Sequence, residues 1–320
     1  MKKAELLIEN ELKIFEKKFE DSVKSKKRLL DKIMRFIIKR KGKQMRPMFV
    51  FLAAKMTGEV NDEVYRAASL IELLHTATLV HDDVVDDTDQ RRGFFSLNAL
   101  WKNKIAVLVG DYLLSKGLLL ALEHNDYEAL QIVSKAVKAM SEGELLQLEK
   151  SRKLNLDEAT YYEIIKGKTA SLLAAACSAG AWSASKDDEL TRKMALFGEK
   201  IGIAFQIKDD LFDYGHDNIG KPTGNDIKEK KLTLPLIYTL NKVDRVTKRK
   251  LIYIIKNQNQ DRTKINELID IVKNTGGLDY AQTAMERYQQ EAIDILNDFP
   301  NSTYKDGMID LVYFVTKRKY

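Results

Sequence analysis

Apolar residues return at spacings of three and four almost from end to end of this 320-residue chain, while the residues that most often interrupt such a pattern are scarce, with 16 glycines and 4 prolines. A chain patterned in this way buries its apolar stripes by packing helix against helix. It also lacks the turn residues that a sheet-rich protein of this length needs. The spacing predicts an all-α protein of roughly ten to thirteen helices. Helices are expected over residues 2–20, 24–39, 46–57, 62–88, 97–123, 127–151, 157–184, 188–214, 226–242 and 246–257, with three more toward the C-terminus. The breakers fall between them: Gly42 and Pro47, Gly58 with Asn61 as a cap, Gly93, and the segment from Gly215 to Gly224. Pro47 suits the first turn of a helix. A single helical domain reaches this length when it wraps an internal cavity, so residues 1–320 read as one domain, a bundle around a central cavity.

The net charge of +6 is uneven: residues 1–46 hold 16 basic against 7 acidic side chains. Those charges alternate with apolar residues at helical spacing and have acidic neighbours, which describes a solvated amphipathic face. The aromatics there, Phe15, Phe19 and Phe36, fall in the apolar stripe and not between the cations, so nucleic acid is not an expected partner. One cysteine, Cys177, excludes an internal disulfide framework and fits a reducing cytoplasm. The first twenty residues lack the apolar stretch of a signal peptide. No uninterrupted apolar run approaches the ~18 residues of a spanning helix. The expected location is cytoplasmic.

Two acidic segments carry the chemistry. The first reads Asp82-Asp83-Val84-Val85-Asp86-Asp87 and ends the apolar stretch that begins at residue 62. Asp82 and Asp86 lie one helical turn apart on a common face, so their carboxylates address one spot. The second, Asp209-Asp210-Leu211-Phe212-Asp213, repeats the spacing after the apolar run from Ile201 to Ile207. Carboxylates without histidine or cysteine partners favour hard cations, and magnesium shares its coordination sphere with substrate phosphates. Two such clusters suit diphosphate binding and departure. Fixed positive charge is available at Lys43, Arg46, Arg91, Arg92, Lys168, Lys221 and Lys231, arginine gripping phosphate oxygens bidentately and lysine acting as a mobile point charge.

Together these segments resemble the trans-isoprenyl diphosphate synthase family from about Lys43 to Pro235. The resemblance rests on Glu72-Leu73-Leu74-His75, the first aspartate motif with Arg91-Arg92-Gly93, Lys168-Thr169-Ala170, Phe205-Gln206-Ile207-Lys208 before the second motif, Gly220-Lys221-Pro222-Thr223-Gly224-Asn225-Asp226, and Thr233-Leu234-Pro235. It implies the isoprenoid synthase fold. It also implies magnesium binding at Asp82, Asp86 and Asp209, with Asp83, Asp210 and Asp213 supporting and three ions per site. Isopentenyl diphosphate would be held by Lys43, Arg46, His75 and Arg92, and an allylic diphosphate by Arg91, Lys168, Lys221 and Lys231. Thr169 and Gln206 would flank the reacting carbons. Asp82, Asp86, Lys168 and Asp209 would carry catalysis: ionisation, attack by the isopentenyl double bond and proton loss to the departing diphosphate. Two positions depart from the pattern, Gln44 where arginine is usual and Lys230 where glycine is usual.

A growing prenyl tail is expected to run along the helix of Asp82 past Thr78, Ala77 and Leu74. The small Ala77 and Thr78 leave that path open where an aromatic would close it, which predicts a long product. Alternatives are a class I terpene cyclase, a noncatalytic protein that binds prenyl diphosphates, and the catalytic half of a two-component synthase with a regulatory subunit. The resemblance further implies a homodimer, with the helix from Asn98 to Leu122 as a candidate contact surface. A long lipid product implies transient membrane proximity during release.

Overall fold

The computed structural model describes residues 1–39, 44–85, 90–91, 94–95, 97–154, 157–215 and 224–317. In chain order its helices are α1 (Lys2–Leu7), α2 (Glu9–Val23), α3 (Arg28–Lys39), α4 (Met45–Thr57), α5 (Asp62–Val85), α6 (Leu97–Glu123), α7 (Tyr127–Lys153) and α8 (Glu158–Ile165). A π-helical turn, Lys166–Ala170, leads into α9 (Ser171–Ser185) and α10 (Asp188–Phe212). Then follow α11 (Asn225–Lys228), α12 (Leu234–Lys242), α13 (Arg245–Asn257), α14 (Arg262–Asn274), α15 (Gly277–Asn297) and α16 (Thr303–Lys317). Among the described residues the one extended pairing is a two-residue antiparallel ladder, Gln90 with Phe95 and Arg91 with Phe94. The chain is all-α, as the apolar spacing requires.

Local sequence explains where the helices start and stop. Asn61 accepts the Val64 N–H at 3.1 Å as an N-cap, and Asp157, Asp244 and Asp261 cap α8, α13 and α14 in the same way. The helix expected over residues 2–20 is interrupted at Ile8, where φ is −129°. The helix expected over 226–242 is two helices. Lys230 takes a left-handed φ of 59°, and Pro235 occupies the first turn of α12, where its missing N–H is harmless. Apolar spacing continued through that break because Ile227, Leu232 and Leu234 are all buried on both sides of it.

The chain divides into two compact units, residues 1–137 with 175–195 and 299–308, and residues 138–174 with 196–298 and 309–320. In the first unit α5 lies along α6, and α2 packs on α3, α4, α5 and α6. Val23, Met34, Leu73, Ala77, Val80, Val109 and Leu113 form one apolar cluster there. Helix α6 is kinked at Lys102, whose φ is 66°. By length and composition its stretch Ala99–Glu123 is apolar enough to cross a membrane, although Lys102, Lys104, Asp111 and Lys116 break it, so that it is not an uninterrupted apolar run. Both faces carry apolar residues: Ala106, Val109 and Leu113 are core residues, whereas Leu100, Leu108, Leu118, Leu119 and Leu122 are exposed, Leu108 by 67%.

In the second unit α12 packs on α8, α14 and α15, and α14 on α13 and α15. A side chain on Gly202 of α10 would place its Cβ 2.5 Å from the Ala170 Cα. Only glycine therefore lets the π-turn approach α10 this closely, and that approach brings Thr169 to Gln206.

Candidate active site

The second acidic motif ends α10 within a hydrogen-bonded framework. Asp210 is buried, and each of its carboxylate oxygens has a donor: Tyr161 Oη to Oδ2 at 2.7 Å and Gln206 Nε2 to Oδ1 at 2.9 Å. Thr169 Oγ1 donates to Gln206 Oε1 at 2.7 Å, which fixes the amide so that its nitrogen faces the aspartate. The chain thus runs Thr169, Gln206, Asp210, Tyr161, each residue orienting the next. Tyr161 is missing from the sequence-based set. It precedes Lys168 by seven residues, a two-turn spacing that offered a signal.

Asp213 has a different task. Its Oδ1 accepts the Asn225 N–H at 2.8 Å, its Oδ2 accepts the Asp226 N–H at 3.1 Å, and its carbonyl accepts the Gly224 N–H at 2.9 Å. Three successive amides from the start of α11 converge on one residue. This brings Asp226 beside the motif, and Lys231 N–H in turn donates to the Asp226 carbonyl at 2.8 Å. Asp226 lies in the Gly220–Asp226 motif, but its place at the site is visible only once Asp213 folds the chain back.

A cavity of about 200 Å³ opens onto this framework, lined by Gln147, Lys150, Tyr161, Lys168, Thr169, Gln206, Asp210, Asp226, Lys231 and Thr233 among others. Lys168 pairs with Glu144 and donates to Gln147 Oε1 at 3.2 Å, and Lys231 pairs with Glu229. Lys231, not Lys230, lines the cavity. Lys230 holds the left-handed position, which accounts for glycine as that position's usual occupant. Three lysines and two acids thus line one polar recess.

Burial is the main cause that pushes Asp210 and Asp226 above the ordinary carboxylate range, and repulsion between neighbouring acids adds to it: Asp209 and Asp213 act on Asp210, and Asp210 and Asp213 on Asp226. Burial likewise raises Asp213, opposed by its backbone donors. The Tyr161 hydroxyl is raised well above its usual value by burial and by Asp210, so it stays a donor. Among the described residues no three acids, histidines or cysteines form a ready-made metal cage. Magnesium does not require one, because it is typically held by one or two carboxylates together with substrate phosphates and water. An acidic, all-oxygen cluster with raised carboxyl groups beside a lysine-lined recess fits such an ion.

The first motif stands where α5 packs along α6. Asp82 and Asp83 lie in the last turn of α5, Asp82 half-buried and Asp83 buried. His81 is seated against α6, where its Nε2 is 3.3 Å from the Val107 carbonyl and 3.4 Å from Asp111 Oδ1. An added Cβ at Gly110 would stand 2.1 Å from the same Nε2, so the absence of a side chain there makes room for the ring. His75 is half-buried on α5, and Thr78 Oγ1 donates to its carbonyl at 2.8 Å. Ala77 and Leu74 are buried, Ala77 within the apolar cluster. Arg46 lies in the first turn of α4. Gln44 donates to Glu16 Oε1 at 3.0 Å. Arg91 belongs to the short ladder, and Lys43, Asp86, Arg92 and Lys221 lie outside the described residues.

Residues 27–272 match the polyprenyl synthetase family model. The chain is 30% identical over 321 residues to heptaprenyl diphosphate synthase component 2 of Bacillus subtilis (strain 168), covering 100% of this chain and 91% of that one. It is 31% identical over 300 residues to octaprenyl diphosphate synthase of Escherichia coli (strain K12), covering 93% of each. Its fold superposes with a TM-score of 0.92, at 33% identity and over 100% of this chain and 98% of the other, on a polyprenyl synthase from Caulobacter crescentus CB15 complexed with calcium and isoprenyl diphosphate. The chain belongs to the polyprenyl synthetase family, with the isoprenoid synthase fold. It is a trans-prenyltransferase, a polyprenyl diphosphate synthase.

Proposed function

We propose that this enzyme extends a geranyl- or farnesyl-type allylic diphosphate by successive 1'-4 condensations with isopentenyl diphosphate, giving a long-chain all-trans polyprenyl diphosphate. The observation that carries the reading is the lysine-lined recess on the second acidic motif, where Lys168, Lys231 and Asp210 meet in one cavity. Its residues suit an allylic diphosphate: the lysines take phosphate charge, and the Thr169–Gln206 pair stands beside them. Asp209, with Asp82 and Asp86 from the first motif, would hold magnesium, while Asp210 and Asp213 support it. When bound, the ions draw negative charge off the leaving diphosphate. Lys43, Arg46, His75 and Arg92 would hold isopentenyl diphosphate, and Arg91 and Lys221 the allylic diphosphate. The two units would act as one catalytic domain.

The exposed apolar face of α6 supports a homodimer, since Leu100, Leu108, Leu118 and Leu122 are costly to leave in water. Similarity to a protein named as a component supports a second subunit as a further partner. A cytoplasmic site with membrane proximity during release suits the reducing-environment cysteine and an apolar product. Incubation of the purified chain with magnesium, farnesyl diphosphate and labelled isopentenyl diphosphate tests the reading. Product longer than the primer by several five-carbon units supports it. A hydrocarbon made from the primer alone, or no product even after addition of a matching regulatory subunit, contradicts it.

A further inference from the structure

The positive charge of this protein has a second centre that its N-terminal excess conceals. Residues 242–264 contain eight basic side chains, Lys242, Arg245, Lys248, Arg249, Lys250, Lys256, Arg262 and Lys264, against two acidic ones, Asp244 and Asp261. The difference, 8 − 2 = +6, equals the net charge of the whole chain. The two basic regions are treated differently by the fold. At the N-terminus, Lys13, Lys18, Lys24 and Arg35 are paired with Glu9, Asp62, Asp21 and Asp31. On α13, Lys250 shares Glu267 with Lys264. Among the described residues no carboxylate pairs with Arg245, Arg249 or Lys256.

The helix sorts its residues cleanly. Leu251, Ile254 and Ile255 are buried, with α13 seated on α14. At 100° per residue, Arg245, Lys256, Arg249, Tyr253, Val246 and Lys250 fall in that order within one arc of about 140° on the other side. Within that arc Val246 is 76% exposed and Tyr253 56% exposed. Asp244 sits outside it as the N-cap, its carboxylate occupied by the amides of Val246 and Thr247 and by the Thr247 hydroxyl. A solvated helix face has no need of an exposed valine and tyrosine between its cations.

We propose that the outer face of α13 docks the enzyme on an anionic lipid bilayer. The cations meet the headgroup phosphates by charge complementarity, and Tyr253 and Val246 enter the headgroup layer, where an amphipathic ring and a small aliphatic group are favoured. The apolar face of α13 is already committed to the core, so the contact is electrostatic apposition and not insertion of the helix. The choice of a bilayer over nucleic acid rests on the functional reading above, in which the product is a polyprenyl lipid that needs a membrane to receive it. Within the arc Tyr253 is the one aromatic, which is poor equipment for stacking the successive bases of a nucleic-acid strand.

Flotation of the full chain with vesicles tests this without using turnover. With phosphatidylcholine vesicles containing about 30 mol % phosphatidylglycerol at low salt, the protein should float with the lipid; it should remain behind with pure phosphatidylcholine and be released at about 0.5 M NaCl. The triple variant Arg245→Glu, Arg249→Glu, Lys256→Glu should lose roughly tenfold or more of the vesicle partitioning. Its elongation activity with a soluble short primer should be unchanged, which also shows that it folds. Tyr253→Ser should weaken flotation with the salt dependence retained. The proposal is overturned if the triple variant floats as well as the parent, if the parent does not float at low salt, or if the parent prefers a single-stranded oligonucleotide to the anionic vesicles. An enzyme that floats but does not elongate leaves the docking face standing and removes the functional reading. One that elongates but does not float does the reverse.

Discussion

The two acidic helix ends carry the same five-residue spacing in different surroundings. Beside the α5 motif the seam with α6 is largely apolar, and His81 fills the space left by Gly110 while reaching the Val107 carbonyl and Asp111. On α10 the motif is positioned by hydrogen bonds, with every oxygen of Asp210 and Asp213 assigned a donor. A packed seam tolerates changes of polarity better than changes of volume. A polar network responds in the opposite sense.

The contrast can be broken experimentally. On the α5 side the test is Gly110→Ala, where the new Cβ would overlap the His81 ring and force it to move. A loss of about 1–3 kcal/mol of stability is predicted from overpacking, and thermal denaturation measures it. In a His81→Ala background the same change should be nearly neutral. An undiminished penalty there would show that something other than the ring resists it.

Tyr161→Phe should do the complementary damage. It removes one of the two donors to buried Asp210 and leaves Oδ2 without that partner, at a cost of about 1–3 kcal/mol. The half-saturating magnesium concentration for activity should rise, whereas Gly110→Ala in the His81→Ala background should leave it much closer to the parent value. Equal shifts in the two would erase the contrast.

Asp210 and Asp226 supply a pH test. Their folded-state pKa values are raised, so the unfolded chain releases these protons at lower pH than the folded one. Stability from this source is present below the ordinary carboxylate pKa of ~3.9 and is lost as pH rises through the raised folded values. The metal-free protein should become less stable as pH rises from about 4 past neutrality, all else equal. Magnesium with a diphosphate analogue should flatten that fall and release protons on binding. Titration calorimetry in buffers of different ionisation enthalpy reads the protons directly.

A smaller effect is expected at Lys230→Gly. Glycine relieves the left-handed φ of 59°, so stability should rise by up to about 1 kcal/mol while activity is kept, because Lys231 is the lysine in the cavity. At Ala77 the readout is product length. Ala77→Phe should shorten the product if the tail runs along α5, and an unchanged distribution in a folded variant would place the tail elsewhere.

Much of this was legible in the residues. Helical spacing gave the all-α class and most helix positions, because burial of an apolar stripe is a local property of sequence. The paired aspartates stand out because their one-turn spacing is also local, whereas Lys168 and Gln206 take their expected roles from the family resemblance. What escaped depends on contacts between distant segments. Tyr161 reaches Asp210 across 49 positions, and Asp226 is brought in only by the amides that Asp213 gathers. The break at Lys230 was hidden because buried residues flank it on both sides. The basic arc of α13 is hidden for a different reason: the N-terminal excess already exceeds the net charge of the chain, and which cations lack a carboxylate partner depends on the fold.

The proposed function requires the acids of α5 and α10 to bind the same divalent ions. A double-mutant cycle of Asp82→Asn and Asp209→Asn, measured as kcat with saturating magnesium, tests it most directly. Each single change should lower kcat by roughly a hundredfold or more, and the double variant should be little worse than the poorer single one, as for groups that work together. Losses that multiply in the double variant would show two independent sites and rule out shared ions.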